Sequence, residues 1–435
     1  MKQKHHCWLK RLAMVSMVGL ALGTTSPALA DPPTNPNVAA QQNDPKKAKY
    51  DVNKPDPKSK TRAEIVIDAS TGQVLFGKNV HRRYPIASVT KILTLGVIEQ
   101  DIRAGKLSWN TKVKINHEEA KMSRNWRFSN VTLDEGRSYT VRDLVNSMMI
   151  VSADASSAAL AIKDAGSTAA FNQKMRDFAA KAGVHDAKIV NMIGLSNGDL
   201  KGMRDRSQPA KAENLFSAID LAKISRYLIN HYPETLAITS QKEATFKTDK
   251  GNTMKMTNIN NSLKGGMTAP KNGTIDGLKT GNTDTAGNCF AGTGTYYGHR
   301  LVMVVLHATG QYNEQFRHAN QDVNTVLNTM DAVTYTRQKD LPANVSKVTV
   351  AHGKQNQVGL KPVKATTAWV AKGTKPTKAK ATLLLQARYR TIGQHKVRAP
   401  LKKGTKVGVV VIKGQVGNVK IPVETTSTVS KGSFF

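Results

Sequence analysis

Residues 85–91 read Pro85-Ile-Ala-Ser88-Val-Thr-Lys91, a serine and a lysine three residues apart at the head of an apolar run with helical spacing. On a helix over residues 88–104, positions i and i+3 share a face, which sets the Ser88 hydroxyl beside the Lys91 amine. A serine hydroxyl is a weak nucleophile until a neighbouring base takes its proton, and a desolvated lysine is one of the few side chains that serves. The same spacing also describes a helix N-cap serine followed by a solvated lysine. The rest of the chain decides between the two.

Upstream, Glu64-Ile-Val-Ile-Asp68 and Gln73-Val-Leu-Phe-Gly77 flank Ala69-Ser-Thr-Gly72, the pattern of two strands joined by a glycine-containing turn. Residues 31–61 are polar, proline-containing and aperiodic, and are expected to form a disordered spacer. The first 30 residues combine a basic start (Lys2, Lys4, Lys10, Arg11), an apolar stretch over 12–23 and Ala28-Leu-Ala30, which reads as a secretory signal peptide with an A-x-A cleavage site. Its apolar stretch is short for a membrane span. Cleavage leaves 405 of the 435 residues, enough for two domains, and an exported protein that is soluble or peripheral. It also removes Cys7. Cys289 then stands alone in an apolar, strand-like run, so no intramolecular disulfide is expected and Cys289 reads as a buried structural thiol.

Downstream of Ser88 the spacing is helical to about residue 235, an all-helical centre. Val141, Leu144, Val145 and Met148 mark one face and stop before Val151-Ser152-Ala153-Asp154; residues 155–163 and 170–182 are alanine-rich. Ser217 with Asp220 reads as a capping box opening a helix. Strand signals return at 274–280, 288–296 and 300–308, with a turn at Tyr297-Gly-His299. A final amphipathic helix carries Phe316, Val323, Val326, Leu327 and Met330. Strands at both ends with helices between them make an α+β domain over residues 62–338. Residues 339–425 change to short β runs with Gly, Pro and Lys turns, a separate all-β domain, followed by a tail at 426–435.

The formal charge is +33, and residues 341–435 hold eighteen Lys and Arg against the single acid Glu424, a net of +17. Behind an export signal the available polyanions are wall polymers and anionic lipid headgroups, so the β domain is expected to meet anionic wall polymers and not nucleic acid.

Two further motifs bear on Ser88: Ser152-Ala-Asp154 at a helix end and Lys279-Thr280-Gly281 on a strand. S-x-x-K, then S-x-N, then K-T-G is the ordered signature of penicillin-recognising serine acyl-transferases. The S-x-x-K and K-T-G triplets each occur once here, in the right order and on the right elements. The chain resembles the low-molecular-mass penicillin-binding proteins of the D-alanyl-D-alanine carboxypeptidase type. The resemblance also rests on Ala63-Glu-Ile-Val-Ile-Asp-Ala-Ser-Thr-Gly-Gln-Val-Leu-Phe, on Tyr139-Thr-Val-Arg-Asp-Leu, on Gly277-Leu-Lys-Thr-Gly-Asn-Thr-Asp-Thr-Ala-Gly-Asn and, in the β domain, on Ala399-Pro-Leu-Lys-Lys-Gly-Thr-Lys-Val-Gly. It covers residues 62–433.

The resemblance implies a fold, an antiparallel sheet with a helical region and a small β domain, and a reaction. Ser88 attacks the carbonyl between two D-alanines of a peptidoglycan stem peptide, Lys91 is the base, and Ser152 relays the proton to the leaving amine. Lys279 and Thr280 of Lys-Thr-Gly281 hold the terminal carboxylate of the peptide or of an inhibitory β-lactam, and the backbone N–H groups of Ser88 and Asn282 form an oxyanion hole. No metal and no cofactor is implied. Lys91 must be neutral to act, and burial with the nearby Lys279 would depress its pKa.

Asp154 departs from the pattern, which has Asn there. An amide donates and accepts; an ionised carboxylate only accepts, and it raises the pKa of a neighbouring lysine. A second departure is the end of the sequence, Val429-Ser-Lys-Gly-Ser-Phe-Phe435, which does not have the amphipathic membrane helix frequent in that family, so attachment through the basic domain is expected. The competing readings are a serine β-lactamase, for which Glu213-Asn214 is the nearest match to a deacylating glutamate, a D,D-endopeptidase using the same residues, and a non-catalytic wall-binding protein on the same scaffold. His117-Glu118 has no second histidine four residues on, so a zinc hydrolase pattern is absent.

Overall fold

Every residue of Ala63–Asp68 (β1) is buried, because the strand has protein on both faces. Side chains alternate across it: Ile65 and Ile67 join one hydrophobic cluster and Val66 another. The computed structural model describes residues 54–248, 252–391 and 395–432. The expected signal peptide and most of the expected spacer lie outside the described residues. The spacer's last part, residues 54–61, is held in place: the Asp56 N–H donates to Glu314 Oε2 at 2.9 Å and Ser59 Oγ donates to the Thr309 carbonyl at 2.7 Å. Those partners lie some 250 residues away, so no local pattern announces them.

β1 pairs with Val74–Lys78 (β2) and, from the other end of the domain, with His299–Ala308 (β5). Thr274–Thr283 (β3) and Gly287–Tyr296 (β4) complete an antiparallel sheet of order β2-β1-β5-β4-β3, which leaves β3 on an edge. One face carries the helical region: Lys91–Arg103 (α1), Val141–Ile150 (α2), Asp154–Ala165 (α3), Thr168–Lys181 (α4) and Ala218–His231 (α5). The other face packs Glu314–Thr329 (α6) through Phe290, Phe316 and Val323. Capping boxes at Thr140 with Asp143 and at Ser217 with Asp220 start α2 and α5.

The helical centre is not all-helical. Arg83–Pro85 pairs with Leu215–Ser217, and Lys112–Lys114 with Ser138–Thr140. Three-residue strands are too short for a period-two signal to emerge from the sequence.

Beyond α6, Met330–Tyr335 (β6) pairs with Thr366–Ala371 (β9), so the chain enters the C-terminal sheet system directly from the helix. Lys347–Ala351 (β7), Gln357–Pro362 (β8), Ala381–Leu385 (β10), Lys396–Arg398 (β11), Lys406–Ile412 (β12) and Val419–Thr425 (β13) form a sheet of order β10-β12-β13-β8-β7-β11 around its own core. Gly359 and Pro362 mask β8 in the sequence. Val429 of the expected tail is buried and bridges to Leu401.

Candidate active site

The α1 helix begins at Lys91, not at Ser88. Ser88 stands in a 3-10 turn, Ala87–Thr90, that leads into it. A 3-10 helix has three residues per turn, so positions i and i+3 eclipse and the two side chains meet. The Lys91 Nζ lies 2.8 Å from Ser88 Oγ. α1 is buried on all sides, and Gly96 makes this possible: a Cβ there would stand 2.3 Å from Cζ of Phe178 on α4. Lys91 is thereby carried into the interior with its side chain fully enclosed.

Ser152 and Asp154 come from the junction of α2 and α3. Ser152 has φ +64, a left-handed conformation that costs a non-glycine residue about 1 kcal/mol or more. The junction is fixed from outside by the 125–130 loop: the Asp154 N–H donates to the Ser129 carbonyl at 2.8 Å and the Ala155 N–H to Asn130 Oδ1 at 2.9 Å. Lys91 Nζ reaches Ser152 Oγ at 3.3 Å and Asp154 Oδ1 at 2.5 Å.

The third motif arrives on edge strand β3. Gly281 passes so close to the Ser88 turn that a Cβ would meet the Ile86 carbonyl oxygen at 2.5 Å and Ser88 N at 3.1 Å. Lys279 is 1% exposed and donates to the Thr280 carbonyl at 3.1 Å. Thr280, Gly281 and Asn282 line an open cleft of about 390 Å³ with Ser88, Ser152 and Asp154. All the residues singled out in the sequence therefore converge, Lys91 and Lys279 behind the cleft surface and the others on it.

The electrostatics differ in one respect from the expectation. Burial pushes Lys91 below its ordinary pKa and outweighs the upward pull of Asp154. The lysine–lysine repulsion is felt instead by Lys279, which burial and then Lys91 push well down. Burial also pushes Asp154 up, against Lys91, Lys279 and the Ser129 amide. An ion pair at the 2.5 Å Lys91–Asp154 separation gains roughly 7 kcal/mol at an effective dielectric near 20. Desolvating the two ions costs several kcal/mol each, so charge separation has little net advantage here.

The sequence reading passed over other cleft residues: Trp126, Arg127, Phe128 and Tyr312. Trp126 is 60% exposed at the rim, and the Tyr312 hydroxyl donates to the Ile259 carbonyl at 2.8 Å. The run of two aromatics and an arginine in a polar loop was the available signal. Glu213 is also on the cleft wall, where it accepts the Thr285 hydroxyl at 2.9 Å. Asn214 instead supports the turn that carries Ser88, donating to Thr90 Oγ1 at 2.8 Å. Cys289 is buried and free, and burial pushes its thiol up to about 12.

Residues 49–310 match the profile of a family described as D-alanyl-D-alanine carboxypeptidase. The D-alanyl-D-alanine carboxypeptidase DacC of Escherichia coli (strain K12) is 28% identical over 389 residues, 87% of this chain and 86% of that protein. The D-alanyl-D-alanine carboxypeptidase DacF of Bacillus subtilis (strain 168) is 24% identical over 380 residues, 86% and 87% of the two chains. A peptidoglycan synthesis regulatory factor, PBP3, from Streptococcus pneumoniae has a solved structure that aligns with a TM-score of 0.67 at 28% identity, over 85% of this chain and 99% of that one. The expected α+β fold with a sheet-rich C-terminal region is the fold of this neighbour.

Proposed function

The chain belongs to the D-alanyl-D-alanine carboxypeptidase family of serine hydrolases, and from that membership we propose that Ser88 is the nucleophile that removes the terminal D-alanine of a peptidoglycan stem peptide. Ser88 Oγ attacks the carbonyl carbon of the last peptide bond while its proton passes to a neutral Lys91. The tetrahedral oxyanion is met by the backbone N–H groups of Ser88 and Asn282, donors worth about 3 kcal/mol each when preorganised. The C–N bond breaks as the proton travels from Lys91 through Ser152 to the amine of the departing D-alanine. Water then hydrolyses the acyl-enzyme.

Lys279 and Thr280 hold the terminal carboxylate. The incoming anion supplies the counter-charge that the buried Lys279 needs to be cationic. A β-lactam carries a carboxylate and a strained amide in the same relation and acylates the same serine. Asp154 contacts the substrate at the position an amide holds in the motif.

The observation that carries this reading is the single amine of Lys91 within reach of both hydroxyls, 2.8 Å from Ser88 and 3.3 Å from Ser152. The protein works outside the cytoplasm, a reading that the apolar leader supports. Its basic β domain holds it to anionic wall polymers.

Fluorescent penicillin should label the wild type covalently. Ser88→Ala should abolish the label and lower D-alanine release from a pentapeptide by about 1,000-fold or more. Labelling that survives in Ser88→Ala would sink the assignment. A cross-linked dimer assayed alongside reports endopeptidase activity, and turnover of the label within minutes would favour a β-lactamase.

A further inference from the structure

We propose that Asp154 works as a neutral carboxylic acid: it keeps a proton, so that Lys91 stays an uncharged amine able to accept the Ser88 proton, and its O–H supplies the donor that an amide would supply there. The inference rests on the reading of Ser88 as nucleophile.

The geometry is that of an enclosed, over-populated site. The side chains of Lys91 and Asp154 are 0% and 4% exposed, with Nζ and Oδ1 2.5 Å apart, and Lys279 is 1% exposed. The groups that act on Asp154 come from three directions: Lys91 from α1, Lys279 from β3, and the Ser129 amide from the 125–130 loop, which also sets Arg127 on the cleft wall. On its own helix Asp154 stands in the first turn of α3, where the helix dipole favours the anion. Burial outweighs the two lysines and the Ser129 amide, since the carboxyl is held above its ordinary range while Lys91 is held below. Both directions narrow the gap between amine and carboxyl, the condition under which the proton of an ion pair passes to the carboxyl.

That state removes the difficulty posed by the substitution. A protonated carboxyl presents one acceptor and one donor, as an amide does. Carboxylic acids kept neutral by an apolar site to donate a hydrogen bond are an established device. Lys91 then takes the Ser88 proton as the Oγ–carbon bond forms, passes it through Ser152 as the C–N bond breaks, and returns to the neutral amine. Asp154 keeps its proton throughout.

The test is the rate of Ser88 acylation by fluorescent penicillin from pH 5 to 10, for the wild type and Asp154→Asn. The wild-type rate should fall about tenfold per pH unit once Asp154 ionises. Asp154→Asn should lack that fall. A wild-type rate that climbs through the alkaline range, with Asp154→Asn reaching its plateau at lower pH, would show an ionised carboxylate holding Lys91 protonated and overturn the proposal. A fall at the same pH in both proteins would assign it to Lys279 and overturn it too. If Asp154→Asn does not fold, Asp154→Ser, whose hydroxyl donates without ionising in this range, is read in its place, and a fall at the wild-type pH there overturns the proposal. Labelling that persists in Ser88→Ala would overturn the nucleophile reading itself, a failure distinct from a wrong pH profile.

Discussion

Gly281 shows how little room the site leaves at the level of one atom. The strand carrying Lys279 and Thr280 touches the turn carrying Ser88, and an added methyl would press on the Ile86 carbonyl at 2.5 Å, a backbone atom that cannot rotate away. Gly281→Ala must therefore move β3 or the 3-10 turn by a substantial fraction of an ångström. Displacements on that scale cost up to about 100-fold in rate when reacting groups must stay aligned. We expect Gly281→Ala to slow penicillin acylation at least about tenfold, with thermal stability lowered much less in proportion; stopped-flow labelling beside a calorimetric melt checks it. Ala87, at φ +47, and Ser152, at φ +64, hold non-glycine residues in a left-handed conformation beside the reacting groups. The surrounding packing holds this backbone strain at the site and nowhere else in α1, α2 or α3.

Among the elements, α2 and α3 act as a bracket. Their junction supplies Ser152 and Asp154, and α2 is anchored at its far end by a capping box. Thr140 accepts the Asp143 N–H at 3.0 Å while the Asp143 carboxylate accepts the Thr140 hydroxyl at 2.6 Å. Thr140→Ala removes one half of that box and should lower unfolding free energy by about 1 kcal/mol, read as a reduced urea midpoint. Because Ser152 lies at the opposite end of α2, acylation of Ser88 should stay within about twofold. α1 has no solvent-facing stripe to give it away as amphipathic. Residues 91–98 are all buried whatever their polarity, the mark of a helix enclosed by others, and that burial pushes the Lys91 amine below its ordinary pKa.

For the whole molecule, one seam joins the two parts. Trp369 of β9 is 2% exposed, its indole N–H donates to Asp68 Oδ2 at 3.0 Å, and its backbone N–H and carbonyl both bond the Gln73 side chain, at 2.8 Å each. The C-terminal region thus stands against the β1–β2 turn, away from the edge strand β3 that lines the cleft. Its net charge of +17 over residues 341–435 is carried by side chains on β strands and turns. Attraction of that kind is screened within about 8–10 Å at physiological salt. We expect binding of the wild type to isolated cell walls to weaken steeply between roughly 0.1 and 1 M NaCl, followed by sedimentation; retention unchanged at 1 M would rule out wall polyanions as its main attachment.

What the sequence determined by itself was local or strictly ordered. The three motifs, the strands of the main sheet, the main helices with the capping box at Ser217 and Asp220, and the change to short basic β runs are legible because periodicity and capping act over a few residues. The start of α1 three residues late, the paired short strands, β8 and the ordering of residues 54–61 were not legible, because each depends on a partner far along the chain. The protonation of the site belongs to the same class. Asp154 beside Lys91 reads in the sequence as a carboxylate that charges its base. Only the tertiary structure, by drawing residues 91, 154 and 279 into one water-poor space, sets burial against the carboxylate's pull on Lys91. The identity of the groups is written in the chain; the dielectric in which they ionise is made by the fold.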